Sequence, residues 1–207
     1  MEITLHHIGR RFNREWIFEN LNYTFEQGKS YAVLGINGSG KSTLLQVIAG
    51  SLTPSTGTIT YTTQQKEIDI DEVYPYFSIA APYMELIEEF TLSEFLEFHF
   101  KFKSSLQHLK PKDIISLMGL EKSADKLIKY FSSGMKQRVK LAVALCSDTP
   151  VVLLDEPASN LDVAGIIWYK DLVALFGSNR TLIICSNQEY EYDFCNFEIQ
   201  LADYKRH

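Results

Sequence analysis

The chain has 207 residues, 45% hydrophobic and 22% charged, which suits one compact α/β unit over residues 1–207 with room for a small inserted lobe. A formal charge of −6 supplies no basic field to draw in nucleic acid or anionic lipid, so no nucleic-acid partner is expected. The start, Met1-Glu2-Ile3-Thr4-Leu5-His6-His7, lacks the basic-then-apolar pattern of a signal peptide, and no run reaches the roughly 18 apolar residues of a spanning helix, which implies a soluble chain.

In chain order, Leu21, Tyr23 and Phe25 alternate with polar residues as in a half-buried strand, Gln27-Gly28 turns the chain, and Tyr31-Ala32-Val33-Leu34 reads as a buried strand. A glycine-rich loop and a helix over Thr43 to Ala49 follow. The Pro54-Ser55-Thr56-Gly57 turn then leads to a strand around Thr58 to Thr62. The stretch from about 90 to 147 is poor in strand signals, with Phe95, Phe98 and Phe102 at helical spacing and a helix after Pro111, so a helical lobe is predicted there. Buried strands return at Val151 to Asp155 and Leu182 to Cys185. Between them a helix carries Ile166, Tyr169, Leu172, Val173 and Phe176 on one side. Strands alternating with helices imply a mainly parallel central sheet flanked by helices, with ligands beyond the carboxyl ends of its strands. The cysteines Cys146, Cys185 and Cys195 lack CxxC spacing and are expected as buried, reduced thiols.

Gly35-Ile36-Asn37-Gly38-Ser39-Gly40-Lys41-Ser42-Thr43 matches the phosphate-binding loop pattern and falls between a strand and a helix, as that pattern requires. Its glycines let backbone N–H groups converge on phosphate oxygens, Lys41 can reach the β- and γ-phosphates of ATP, and Ser42 can ligate Mg²⁺. Val151-Val152-Leu153-Leu154-Asp155-Glu156 then delivers two carboxylates at the end of a buried strand. Asp155 suits the Mg²⁺ shell, and Glu156 is placed to polarise an attacking water. These features make the fold class α/β, of the P-loop NTPase kind.

Tyr130-Phe131-Ser132-Ser133-Gly134-Met135-Lys136-Gln137-Arg138 reads, on its residues alone, as a capped helix start. With the acidic strand after it, it resembles the signature of the ATP-binding cassette (ABC) family, commonly Leu-Ser-Gly-Gly-Gln followed by Gln-Arg. Ser132, Gly134, Gln137 and Arg138 match, whereas Phe131, Ser133 and Met135 depart. Ser159-Asn160-Leu161-Asp162 is similar to the family's D-loop, and Phe12 falls where an aromatic stacks on adenine, although near Trp16 and Phe18 it fits a core position as well. The resemblance implies an N-terminal antiparallel β subdomain and a head-to-tail dimer, homomeric or with another ATP-binding subunit. In that dimer Ser132, Ser133 and Gly134 would meet the ATP held by the partner's loop.

Two positions depart from the family. Its glutamine before the helical lobe is expected near Ala80 and Ala81, where a methyl group neither ligates metal nor orients water. Its histidine after the next strand is expected at Asn187, whose amide can donate to a γ-phosphate but stays neutral; Asn187 fits a plain strand end as well. None of His6, His7, His99, His108 and His207 lies close by in sequence. Slow or conditional hydrolysis is the expectation.

The resemblance therefore implies an ATP-hydrolysing subunit of a transporter, cytoplasmic and held on the inner face of the membrane by a separate transmembrane permease. The aromatic, acidic stretch from Tyr74 to Phe102 offers Tyr83, Met84, Leu86, Phe90, Phe95 and Phe98 either as a groove for a partner helix or as the lobe's own core. The alternative is a soluble ABC-type ATPase acting as a regulatory or nucleic-acid-associated switch.

Overall fold

The computed structural model describes residues 1–205. Strands β1 (Glu2–Phe12) and β2 (Glu15–Phe25) form a hairpin, and β3 (Ser30–Leu34) runs through the glycine-rich loop into α1 (Lys41–Ile48). Strands β4 (Thr56–Thr63) and β5 (Lys66–Ile68) complete an antiparallel sheet in the order β2-β1-β4-β5. After β6 (Phe77–Ala80) the chain enters the helical lobe, α2 (Leu92–Phe102), α3 (Pro111–Met118) and α4 (Ser133–Cys146). It returns through β7 (Val151–Asp155), α5 (Val163–Phe176), β8 (Thr181–Ser186) and β9 (Phe197–Gln200). The second sheet runs β6-β7-β8-β3-β9, with every pair parallel.

Local chemistry explains the helix boundaries. Thr91 and Glu94 cap α2 reciprocally, with the Glu94 N–H donating to Thr91 Oγ1 at 3.2 Å and the Thr91 N–H donating to Glu94 Oε2 at 2.8 Å. Pro111 opens α3 and Gly119, in the left-handed region, ends it. The expected helix after Pro111 and the helix bearing Tyr169, Leu172, Val173 and Phe176 are both present, and those four residues are buried. The residue patterns place no strand at β1, β5, β6 or β9; β6 and β9 are each four residues long, too short to carry a period.

The parallel sheet divides the apolar interior. Val152, Leu154, Leu182 and Ile184 pack towards α2, α3, α4 and α5, whereas Val151, Leu153, Ile183 and Cys185 pack towards α1 and the antiparallel sheet. Burial on both faces is why these strands read as unbroken apolar runs. Cys146 and Cys185 are buried free thiols as expected, whereas Cys195 is only partly buried. Asp155 pairs with Cys185, and Leu34 with Ser186, so three strands end at one edge and release their loops there together.

Candidate nucleotide site

The loop from Gly35 to Thr43 leaves β3 at that edge and enters α1 through Gly40, which has φ +105°. A Cβ on Gly40 would lie 2.2 Å from Ile17 Cγ2, so glycine is required there both by conformation and by space. Ser132 and Asp162 cap α4 and α5 with side-chain oxygens, but no side chain caps α1. Its first-turn N–H groups are left for a ligand, and the helix dipole makes an anion the favoured one. Lys41 is buried and turns its ammonium back onto the Gly35 and Ile36 carbonyls at 2.6 and 3.3 Å. Ile17, the loop and helix residues Asn37, Gly38, Gly40, Lys41, Ser42 and Thr43, and Glu156 line a hollow of about 360 Å³.

Asp155 ends β7 just beneath. It is 1% exposed, and neither carboxylate oxygen has a well-formed hydrogen bond. Burial raises its pKa; the nearby Ser42 hydroxyl and Lys41 ammonium oppose the rise, and the Glu156 charge adds to it. An orphaned buried carboxylate beside a serine hydroxyl is an all-oxygen donor pair, which fits a hard divalent cation such as Mg²⁺.

Glu156 takes φ +45°, a conformation that costs a side-chain-bearing residue about 1–3 kcal/mol. The strain is held by its N–H donating to the Cys185 carbonyl at 2.9 Å and its carbonyl accepting the Ser159 N–H at 3.0 Å. From the end of β8, Asn187 Nδ2 donates to Asn37 Oδ1 at 3.2 Å, so Asn187 does reach the phosphate-loop residues. None of His6, His7, His99 and His108 lines the hollow, and His207 lies outside the described residues.

The remaining candidates lie apart from the hollow. Ser132 and Ser133 are exposed at the start of α4, where Ser132 Oγ accepts the Met135 N–H at 3.2 Å. Further along α4, Gln137 Nε2 donates to the Pro157 carbonyl at 2.7 Å, joining this helix to the turn after Glu156. Asp162 Oδ1 accepts the Gly165 N–H at 2.8 Å. Phe12 is 47% exposed at the end of β1, with the Arg10 guanidinium 4.6 Å from its ring centroid, so it is not a core residue. Ala80 and Ala81 are fully buried. Tyr83, just beyond them, is 47% exposed; partial burial raises its pKa, with nearby Gln46 of α1 opposing the rise and the Asp155 charge adding to it. Sequence reasoning missed Ile17, which carries no motif signal, and read Tyr83 only as a groove or core aromatic.

A family model described as "ABC transporter" matches residues 18–159, more than half of the chain. The chain is 29% identical over 195 residues to "Uncharacterized ABC transporter ATP-binding protein YybJ" of Bacillus subtilis, covering 93% of this chain and 88% of that protein. It is 29% identical over 189 residues to "Nod factor export ATP-binding protein I" of Burkholderia lata, covering 89% and 62%. It is also 29% identical to human "Retinal-specific phospholipid-transporting ATPase ABCA4", covering 88% of this chain but 8% of that much longer protein. Among solved structures, the dimeric bacterial ABC transporter cassette MJ0796 superposes with a TM-score of 0.78 at 20% identity, covering 96% of this chain and 94% of that one. A post-hydrolysis state of the same cassette, bound to ADP and Pi, gives 0.81. With the loop, the acidic strand end and the two-sheet fold all in place, this chain belongs to the ABC transporter family and comprises its ATP-binding part.

Proposed function

We propose that residues 1–207 form one ATP-binding domain, with a helical lobe at about 90–147, that binds Mg·ATP in the hollow above β3, β7 and β8 and hydrolyses it. The observation that carries this reading is a convergence. An uncapped helix start, Lys41, Ser42 and Glu156 line one space, and the orphaned Asp155 carboxylate is buried next to Ser42, Lys41 and Glu156. Loop N–H groups and Lys41 bind the phosphates, Ser42 and Asp155 hold Mg²⁺, and the cation when bound neutralises charge on the phosphate oxygens. Glu156, fixed by its strained backbone, orients and accepts the proton of the attacking water. Asn187 swings its amide from Asn37 to the γ-phosphate. Phe12, already exposed, stacks on adenine. Ser132, Ser133 and Gly134, presented outwards, complete the site of a second copy or of another ATP-binding subunit, with Asp162 beside them. Replacement of the glutamine and histidine of the family pattern makes hydrolysis slow.

The chain acts as the ATP-driven subunit of a transporter whose membrane-spanning part is a separate permease; among the described residues no helix is long and apolar enough to cross a membrane. Support for docking comes from the lobe. Phe95 is buried in the core, whereas Tyr74, Met84 and Ile87 are exposed and line an apolar cavity of about 390 Å³ between β6 and α2; Tyr83, Phe98 and Phe102 are exposed in the same stretch without lining it. Phe95 thus belongs to the lobe's own core, and the exposed aromatics support the groove reading for the rest of the stretch. The permease holds the chain on the inner face of the membrane.

Equilibrium binding tests the site. Lys41→Ala should weaken Mg·ATP binding by about 100-fold, the loss of two charge-assisted bonds. Glu156→Gln should bind normally, lose about 100-fold or more in turnover, and elute as a dimer with Mg·ATP. Equal turnover in wild type and Glu156→Gln refutes the role of Glu156. Recovery from detergent-extracted membranes with no membrane companion refutes the transporter role.

A further inference from the structure

Glu191 lies in the single turn after β8 and is 3% exposed. Its Oε1 accepts the Ala158 N–H at 2.8 Å, and its Oε2 accepts the Ser186 hydroxyl in a short bond. Ser186 Oγ in turn accepts the Gln188 N–H at 2.8 Å. The Tyr169 hydroxyl of α5 donates to the Glu191 carbonyl at 2.9 Å and anchors this turn from below. Ala158 is two residues past Glu156, and Ser186 immediately precedes Asn187. One carboxylate therefore grips both segments that border the phosphate end of the hollow.

No cation bridges Glu191 among the described residues, whose ion pairs are Lys136–Glu88 and Lys170–Asp193. It sits instead within reach of two further carboxylates, Glu156 and Asp155, and burial raises its pKa. A buried charge without a counter-ion costs folding stability. Keeping one at this place argues for a task other than holding the fold together.

We propose that Glu191 is a positioning residue: by bonding Ala158 and Ser186 at once, it fixes the turn carrying Glu156 against the strand end carrying Asn187, and so sets the geometry for hydrolysis without touching nucleotide. The kinetic half rests on the ATP site proposed above; the bracing half does not. In Glu191→Gln the amide still accepts from Ala158 and can donate to Ser186 Oγ, whereas Glu191→Ala loses both bonds. Ser186→Ala cuts one arm and leaves the other.

Two measurements decide it. In nucleotide-free protein, amide hydrogen exchange in Glu191→Ala should rise about tenfold or more at both 157–161 and 186–188, because a lost bond of this kind is worth about a factor of ten. With Mg·ATP, kcat should fall about 10- to 100-fold while KM stays within about twofold, and Glu191→Gln should recover most of the loss. If Glu191→Ala fails to fold, Ser186→Ala is read in its place, with faster exchange at 186–188 and a smaller loss of kcat. Faster exchange in one segment alone in Glu191→Ala overturns the proposal. So does an unchanged kcat in Glu191→Ala, or in Ser186→Ala where that variant is the one read, or a Glu191→Gln no better than Glu191→Ala. A wild-type protein without turnover sinks the ATP reading, and the exchange result then decides the brace by itself.

Discussion

Asp155→Asn should make the nucleotide-free protein more stable and the nucleotide-bound protein less so. The wild-type carboxylate is 1% exposed, has no well-formed hydrogen bond and lies beside Glu156. A buried polar group left without partners costs about 1–3 kcal/mol. The amide keeps part of that cost but removes the charge, so a gain of about 1 kcal/mol is expected, or about 2–4 °C in melting temperature for a chain of this size. The sign follows from the raised pKa. The folded state binds this proton more tightly than the unfolded state, so ionisation costs stability above the raised value. The advantage of Asp155→Asn is therefore largest at neutral pH and closes as pH falls through that value towards the ordinary carboxylate range near about 4. Glu191 titrates in the same direction in both proteins and largely cancels in the difference. Saturating Mg·ATP should reverse the order, because ligand at 100 times its Kd adds about 2.7 kcal/mol to a protein that binds it. Thermal melts at several pH values, with and without Mg·ATP, measure all of this. A variant less stable than wild type without nucleotide, or a gap that widens on acidification, refutes the account of Asp155 as an orphan awaiting a cation.

Gly40→Ala forces a side chain into φ +105° and against Ile17; it should cost about 1–3 kcal/mol of stability and weaken nucleotide binding, with Ile17→Ala in the same chain restoring part of the loss. Unchanged binding in Gly40→Ala would show that the loop tolerates a different path. Asn187→His should raise ATP turnover about tenfold or more if the missing imidazole is what slows hydrolysis, and an unchanged rate would leave Asn187 as a strand-end residue. Arg180 is buried and donates to the carbonyls of Leu145, Ser147 and Thr149 and to the hydroxyls of Ser78 and Thr149. Arg180→Met strands those acceptors and should lower stability by about 3 kcal/mol or more, read by urea unfolding; a loss under about 1 kcal/mol would mean that water replaces the guanidinium.

The phosphate loop and the acidic strand were legible because each is local: a fixed spacing between two elements, and a run of apolar residues whose burial on both faces leaves no alternation to misread. The reach of Asn187 to Asn37 depends on a strand pairing between segments about 150 residues apart, which no local pattern records. The same holds for Glu191. In the run Gln188-Glu189-Tyr190-Glu191-Tyr192 it looks like one more solvated acid, and only tertiary contacts with Ala158 and Tyr169, 33 and 22 residues away, show that it is buried. The aromatics of α2 were ambiguous for a related reason. Helical spacing says that Phe95, Phe98 and Phe102 lie on similar faces, but only the packing of the lobe decides that Phe95 joins the core and Phe102 stays exposed.

The division of the parallel sheet into two apolar faces has a consequence for how motion can pass through the molecule. Leu153 and Leu154 are one peptide apart yet belong to different interiors, one beneath the nucleotide hollow and one beneath the helical lobe. A volume change at Leu153 presses on α1 and leaves the lobe untouched to first order, while the same change at Leu154 does the opposite. The two faces thus belong to separate packing clusters, so a direct contact between helical lobe and hollow has to be made beyond the sheet's strand ends. Gln137, which ties α4 to Pro157 at 2.7 Å just past Glu156, is such a contact.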